Sequence, residues 1–568
     1  MKLNCLPFTF PSVIGLDIET YGSGGFPDPY RDKVALIQID ISGDDTYVLT
    51  EDFQRVIPLL LDPSMTKLIH NVSFDSKFLL HHLGVRLENV FDTMLAERIL
   101  TAGRQRSASL KAVAQRRLGV ELDKDMRTKF VQSYELSQDM LEYAAQDAKV
   151  LYPIYQQQVK ELKREGLTFV ADLENKLALV VGRMELNGIG FDQNQWNIVL
   201  KEEQQLRDEA YEQTVKLLQV AFYQNDLFGG MSCEVNLNSR ESVLGLLRKQ
   251  GIDLPNYQAE TLEYYLRDHP DCEAIRYILE YKEHEKRLSW NYPQYINPVT
   301  NRIHPNIIQI GARTGRFAFR DPNLQQVPKL ESFRKMFVAD DGYLITADYS
   351  QIELRVLAEI TNDKNMIEAF NRGDDFHQAT AELIATELGG KPDRAQGKGC
   401  NFAAVYGSST RSQALATGMS VRAWNKIYKA YFSTYSALEP WYEKSFSSLI
   451  RNGYTTTISG RKRWFPELDP SDPGKYRNIS RNTPIQGSAL DVMKLALVNV
   501  DKALEEYDAK LVHTVHDELV VEVIENEVNE VKNRIEQAMI QAGQYFLKKV
   551  PIIVDISISK SWGGKNGI

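Results

Sequence analysis

The stretch LVHTVHDELVVEV, residues 511–523, constrains the fold more sharply than any other part of the chain. Val512, Val515, Leu519, Val521 and Val523 make two β-branched runs of a tight hairpin, and two adjacent acids, Asp517 and Glu518, interrupt them. A carboxylate placed among buried strands costs several kcal/mol unless an Arg, a Lys or a metal ion compensates it. Either the acids point to water from a turn, or something else in the chain supplies the compensation.

At 568 residues the chain is too long for one core and should form roughly three or four compact units. Its 67 basic and 76 acidic residues leave a net charge of -9, which argues against a surface that coats nucleic acid generally and leaves room for a local basic cleft. Cys5, Cys233, Cys272 and Cys400 are scattered with no metal-ligand spacing, as in a reducing compartment. There is no apolar leader segment and no window of membrane-spanning length, so a soluble chain is expected.

Residues 1 to about 155 alternate strand-like pieces (VIGLDIET, KVALIQID, DTYVLT, KLIHN) with helical ones, an α/β pattern. From about Leu167 to Trp290 long charged amphipathic helices follow, broken near GGMSCEVNLNS and GIDLPNYQAE. Strands return at GYLITADYS, helices dominate from about 362 to 450, and strands reappear at TVHDELVVEV and PIIVDISIS. A sheet-bearing unit therefore encloses a helical insertion.

The N-terminal unit carries an acidic constellation. Asp17 and Glu19 in IGLDIET sit two apart on a strand and so share a face. Asp75 follows a strand in HNVSFDSKFL, and Tyr143 and Asp147 in EYAAQDAKV are four apart on a helix. Four acids and a phenol that converge suit two divalent metals acting on a phosphodiester. In this order they resemble the proofreading 3′→5′ exonuclease domains of the DEDDy group. That resemblance implies metal ligands at Asp17, Glu19, Asp75 and Asp147, with Tyr143 orienting the attacking water.

A second constellation answers the hairpin. Asp348 ends the apolar strand of TADYSQIELRVLAEI, and beside Asp517 it would form a paired-carboxylate metal site that offsets the burial penalty. Between them, PDRAQGKGCNFAAVYG places Arg394, Lys398, Phe402 and Tyr406 every four residues along one helix face. Such a strip can hold a triphosphate at its basic end and stack on sugar and base at its aromatic end. The alternative is an amphipathic helix with Phe and Tyr in the core and the cations snorkelling.

DYSQIELR, RAQGKGCNFAAVYG and VHDE in this order resemble motifs A, B and C of family A DNA polymerases, the group of bacterial DNA polymerase I. GARTGRF with DPNLQQVP, DDFHQATA, GYTTTISGRKRWFP and RNTPIQGSALDVMK extend the likeness over residues 170–568. The resemblance implies a multidomain α/β and α+β chain: a ribonuclease H-like exonuclease domain (1–160), then a right-hand polymerase domain (161–568). Its thumb would span about 170–300, its palm 301–360 and 485–568, and its fingers 361–484.

By motif match, Asp348 and Asp517 hold two Mg²⁺ ions, with Mn²⁺ able to substitute. Arg394, Lys398 and His377 contact the triphosphate, Lys398 also serving as proton donor to pyrophosphate. Glu353 excludes a 2′-hydroxyl, Gln351 and Phe402 join the nucleotide site, and Tyr406 borders the template base. Arg316, Asn482, Gln486 and His516 contact the DNA, while Glu518 neighbours the metals without having to bind them. The implied partners are primer-template DNA, dNTPs and a single-stranded 3′-end, for a monomer in the cytoplasm of a bacterial or virus-infected cell or in an organellar matrix. The resemblance also implies that no 5′ nuclease domain is present.

Three departures stand out: Ala318 and Phe319 replace a usual pair of serines, Ala403 replaces a common Gly, and KYRNIS lacks a usual Glu-Arg pair. A nucleic-acid-binding scaffold with decayed sites would have lost Asp348, Asp517 or Lys398, and all three are present. A nuclease whose C-terminal region only holds DNA is the remaining rival, and primer extension separates it from a polymerase.

Overall fold

The computed structural model describes residues 1–564 except 8, 23–26, 44, 105, 123–129, 131–135, 226–234 and 470, and the side chains of 219–225 are also outside the description. Cys233 and most of the expected helix break at GGMSCEVNLNS therefore lie outside the described residues.

The N-terminal unit is built on β1 (Lys2–Leu3), β2 (Val13–Tyr21), β3 (Lys33–Ile41), β4 (Asp45–Leu49), β5 (Thr66–Ile69) and β6 (Val90–Asp92). They form one sheet in the order β1-β4-β3-β2-β5-β6. β3 is antiparallel to both β2 and β4, whereas β2 with β5 and β5 with β6 are parallel. Strand β2 alternates as its sequence requires: Ile14, Leu16 and Ile18 are buried while Asp17 and Glu19 are half-buried. Helix α1 (Val72–Leu83) follows β5, and α2 (Gln138–Lys149) with α3 (Leu151–Arg164) closes the unit. α2 packs directly on β2, where a Cβ added at Gly15 would lie 2.8 Å from the Ala148 carbonyl. Only glycine permits that approach, and it brings the Asp147 turn to the acidic face of β2.

Helix α4 (Thr168–Asn187) leads into the second half. The sequence groups it with the helical module, but it packs elsewhere. Val170, Ala171 and Ala178 join the core of the N-terminal unit, and Leu177, Val180, Val181 and Met184 join the core of the C-terminal body. Apolar residues all round the helix, rather than one stripe, explain this burial on both sides. The separate helical arm consists of α5 (Gln193–Asn225), α6 (Glu273–Leu288) and short helices between them, around a core of its own that includes Leu218, Val243, Leu262 and Ile278.

The C-terminal body is organised by β7 (Tyr343–Tyr349), with α7 (Ile352–Thr361) following it directly. The helical insertion then includes α8 (Phe376–Leu388) and α9 (Arg394–Tyr406). The long α10 (Arg477–Ala503) returns the chain to β8 (Ala509–Val515), β9 (Glu518–Val523), α11 (Val528–Phe546) and β10 (Val554–Ser559). The four strands form an antiparallel sheet in the order β8-β9-β7-β10, backed by α11, which also packs on α10. The hairpin expected from LVHTVHDELVVEV is β8-β9, turning at His516 and Asp517.

Candidate active sites

In the N-terminal unit, Asp17 and Glu19 on β2 meet Asp147 on α2, with one carboxylate oxygen from each within 4.8 Å of the others. Tyr143, one turn before Asp147, hydrogen-bonds to it, and burial together with Asp147 and Glu19 raises its phenol well above the ordinary value. The phenol thus stays neutral and can orient a water. Asp75 is not within the three-acid group. It is buried on α1 and accepts a hydrogen bond from the Ile18 amide at 3.2 Å, and burial, with Asp92 and Glu19 nearby, raises its carboxyl strongly. Sequence reasoning missed Asp92, which accepts from the amides of Asn71, Val72, Met94 and Leu95. This one acid caps α1 and the next helix, Thr93–Leu100, and so sets where Asp75 stands. Its signal was an Asp just before a helical run.

In the C-terminal body, a cavity of about 510 Å³ is lined by Asp348 and Asp517, by Arg316, Gln351 and Glu353, by His377, Arg394, Lys398, Phe402 and Tyr406, and by Gln486 and His516. Every residue singled out for this site except Asn482 and Glu518 is on its wall. Asn482 lies one turn before Gln486 on α10, and its Oδ1 is buried without a hydrogen-bond partner among the described residues.

Asp348 pairs across the sheet with Glu518 on one side and Asp555 on the other, and Asp517 occupies the adjoining turn. Its carboxyl is pushed up to about 7 by burial first, then by Asp517, Glu518 and Asp555, with Lys329 opposing. Glu518 is held apart by Arg334 at 3.2 Å and the Trp562 indole at 2.7 Å, so it adds charge while its own oxygens are engaged. The turn places His516 at φ 58, a conformation uncommon for a residue with a side chain, as found at sites where position outweighs local strain.

Glu353, in the first turn of α7, accepts from Arg316 at 3.1 Å and from the Tyr406 hydroxyl. Burial raises its carboxyl, and Tyr406 and Arg316 oppose that shift. Helix α9 is capped by Asp393 at its start and by left-handed Gly407 at its end. Its cationic and aromatic face is turned to the cavity, while Cys400, Asn401, Ala403, Ala404 and Val405 are buried on the others. Lys398 Nζ lies 5.9 Å from the Phe402 ring centroid, the Phe402 and Tyr406 rings stack at 5.8 Å, and Arg394 is held by Asp375 at 2.6 Å. A Cβ at Gly397 would meet the His377 carbonyl at 2.1 Å, so this glycine lets α8 lie against α9.

The departure at Ala318 and Phe319 serves packing. Phe319 is buried against His513, with ring centroids 5.3 Å apart, and Ala318 closes against Gly311. Lys329, Gln325 and Asp555 line the cavity and were missed. Asp555 had a signal, the lone acid in the alternating strand PIIVDISIS; the loop around Lys329 has no periodicity to read.

Both clusters consist of hard oxygen donors, as divalent cations of the Mg²⁺ class require. Asp348 Oδ1 is buried and has no hydrogen-bond partner among the described residues. A buried carboxylate oxygen left without a donor beside two further acids is an arrangement a cation satisfies.

Residues 203–564 match the sequence profile described as DNA polymerase family A. The chain belongs to DNA polymerase family A. Residues 4–163 match the profile of a 3′-5′ exonuclease, so the α/β unit is an exonuclease domain and the expected two-part architecture holds. Among curated relatives of this family A chain, DNA polymerase I of Pseudomonas aeruginosa is 31% identical over 547 residues, covering 89% of this chain and 57% of that protein. DNA polymerase I of Aquifex aeolicus is 29% identical over 588 residues, covering 96% of this chain and 95% of that one. The chain thus spans little more than half of the first relative and nearly all of the second. The fold also matches the POL domain of Pol1 from M. smegmatis, solved in complex with DNA primer-template and dNTP, with a TM-score of 0.83, 25% identity and 96% of each chain covered. Among the described residues no helix is long and apolar enough to cross a membrane.

Proposed function

We propose that this chain extends a DNA primer on a template with dNTPs and removes mispaired 3′-ends at its second acidic site. The observation that carries the reading is the convergence, on one cavity of about 510 Å³, of the Asp348 and Asp517 pair with the Arg394, Lys398, Phe402 and Tyr406 strip. The helical arm acts as the thumb, the four-stranded sheet as the palm and the insertion bearing α8 and α9 as the fingers. Primer-template DNA lies between them, and the protein works as a monomer in a bacterial cytoplasm.

Asp348 and Asp517 would hold Mg²⁺, which when bound lowers the pKa of the primer hydroxyl and neutralises charge on phosphate oxygens. The primer 3′-hydroxyl gives its proton to solvent water as its oxygen attacks the α-phosphorus in line; that P–O bond forms as the bond to the β-phosphate bridging oxygen breaks, and pyrophosphate departs. Arg394, Lys398 and His377 bind the triphosphate, and Lys398 gives its proton to the leaving oxygen. Phe402 packs on the sugar, Glu353 lies where a 2′-hydroxyl would project, and Gln486, Arg316, Asn482 and His516 follow the DNA. At the other site, Asp17, Glu19 and Asp147, with Asp75 supporting, would hold the cations for hydrolysis, and Tyr143 orients the water.

The test is separation of the activities. Asp17→Ala with Glu19→Ala should end single-strand digestion and leave primer extension, and Asp348→Ala should do the reverse. A palm variant that extends primers at the parental rate would refute the assignment.

A further inference from the structure

Asn401 is on the buried side of α9, away from the cavity, and has no measurable exposure. A primary amide in such a place must satisfy both its ends or cost free energy. Its Oδ1 accepts from the Tyr431 hydroxyl at 3.0 Å and lies 3.1 Å from the Thr380 hydroxyl. Its Nδ2 lies 3.1 Å from His377 Nδ1 and 3.5 Å from the Phe376 carbonyl oxygen. The amide orientation follows from Tyr431 and Phe376; the single Thr380 proton can go either to Asn401 Oδ1 or to the Phe376 carbonyl oxygen 2.9 Å away. Reversing it would press Oδ1 against the Phe376 carbonyl oxygen, two acceptors with no proton between them, whereas Nδ2 has two protons for two acceptors. His377 Nδ1 must then be the lone-pair nitrogen.

We propose that Asn401 is a positioning residue: it holds His377 as the neutral tautomer protonated at Nε2, so that the ring presents a fixed N–H donor to a phosphate oxygen of the incoming nucleotide. The inference rests on the polymerase reading of the cavity. His377 lines that cavity with Arg394 and Lys398, and with Nδ1 taken by Asn401 the other nitrogen is the one left for a ligand. Electrostatics agree with a neutral ring. Burial, then Arg394 and Lys398, push the imidazole down to about 4, with Asp375 opposing. The nucleotide therefore meets two cations and one directed dipole. A histidine free to change tautomer would offer the triphosphate a lone pair part of the time, which repels it. The support is rigid: Gly397 brings α8 and α9 into contact at the His377 carbonyl, and Tyr431 comes from a third helix, Val421–Thr434.

The experiment has a spectroscopic arm and a kinetic arm. ¹⁵N-histidine NMR of the intact chain, with the His377 signal assigned by its loss in His377→Gln, should show the Nε2–H tautomer at neutral pH. In Asn401→Asp the acceptor faces Nδ1, so the signal should change to the Nδ1–H form, which leaves a lone pair at Nε2. In steady-state primer extension, Asn401→Asp should raise the dNTP KM by about tenfold or more, the scale of a lost hydrogen bond to a charged partner. In a His377→Gln background, where the amide donor has no tautomer to set, the same change should cost under about threefold. An Nδ1–H parent, or equal losses in both backgrounds, overturns the inference. If the parent fails to extend primers, the polymerase reading falls, while the NMR arm still decides the tautomer. Should Asn401→Asp not fold, Asn401→Ala, which removes the donor, takes its place in both arms, and a parental spectrum with unchanged KM overturns the inference.

Discussion

At the residue scale, Asp348 makes a prediction about protons. Its carboxyl titrates near 7 because burial, Asp517, Glu518 and Asp555 all disfavour its charge. Between about pH 4 and 7 the folded metal-free chain therefore keeps a proton that the unfolded chain has released, so its stability falls as pH rises through that window. A divalent cation must displace the same proton. The Mg²⁺ concentration needed for half-maximal extension should then rise as pH falls below 7, by up to about tenfold per unit; a requirement constant from pH 8 to 6 would contradict this. Glu353 makes a second prediction. Its carboxylate is held by Arg316 and the Tyr406 hydroxyl at the wall of the cavity, so its position is set from α7, α9 and the loop bearing Arg316 together. Glu353→Ala should raise ribonucleotide relative to deoxyribonucleotide incorporation by at least about tenfold, the scale on which a shaped pocket discriminates one small group. Glu353→Gln, of equal size, should retain most of the selectivity. Competition between rNTP and dNTP measures both ratios, and an unchanged ratio in the alanine variant removes Glu353 from the role.

At the element scale, α9 shows what could be read from sequence and what could not. The i, i+4 spacing of Arg394, Lys398, Phe402 and Tyr406 sufficed to place them on one face, because helix geometry alone decides that. The hairpin and the Asp17 and Glu19 face were legible for the same reason, since strand alternation is local. The contacts at Gly397 and Gly15 were not legible, because a glycine's need for space depends on a second element far away in the chain. Nor was the placement of α4, whose periodicity does not say which of two cores will bury each side. Asp555 joined the Asp348 and Asp517 pair only through the pairing of β10 with β7. The exposed strip carries its own prediction. Phe402 stacks beside Tyr406 one turn beyond Lys398, and so should face the sugar of a nucleotide whose phosphates Lys398 holds. A dideoxynucleotide lacks the 3′-hydroxyl that bonds to its own phosphate, and a Phe ring offers no substitute. Phe402→Tyr should therefore lower discrimination against ddNTPs by at least about tenfold, from a hydrogen bond to a charged partner. Competition in an exonuclease-deficient background measures this, and undiminished rejection of ddNTPs would mean that the ring does not face the sugar.

At the scale of the whole molecule, α4 carries a buried acid toward each half. Glu185 pairs with Lys77 of the exonuclease helix α1 at 2.8 Å and accepts from the Ile307 amide at 2.7 Å. Three turns earlier, Glu174 is fully buried between Lys494 at 2.6 Å, Arg461 at 2.5 Å and Gln309 at 2.5 Å, and Arg461 continues to buried Asp491 at 2.9 Å. Burial alone would raise the Glu174 carboxyl; Lys494 and Arg461 overcome it and hold the group below its ordinary value. Two acids and two cations thus neutralise one another inside the protein, fixing α4 to α10 and to the turn that bears Arg461. Lys494→Met should leave one buried negative charge uncompensated, at a cost of about 3–5 kcal/mol. The unfolding temperature should fall. On the proposed function a primer end passes from the palm cavity to the exonuclease site, so, because α4 also seats helix α1, excision from a duplex primer end should decline more than digestion of free single strands. Adding Glu174→Gln removes the excess charge and leaves Arg461 with Asp491 as a neutral pair. The double variant should therefore be more stable than Lys494→Met alone, a sign that only a charge imbalance produces. If the second substitution lowered the unfolding temperature further, the damage in the first would be lost packing, and the ionic account of how the two halves are joined would be wrong.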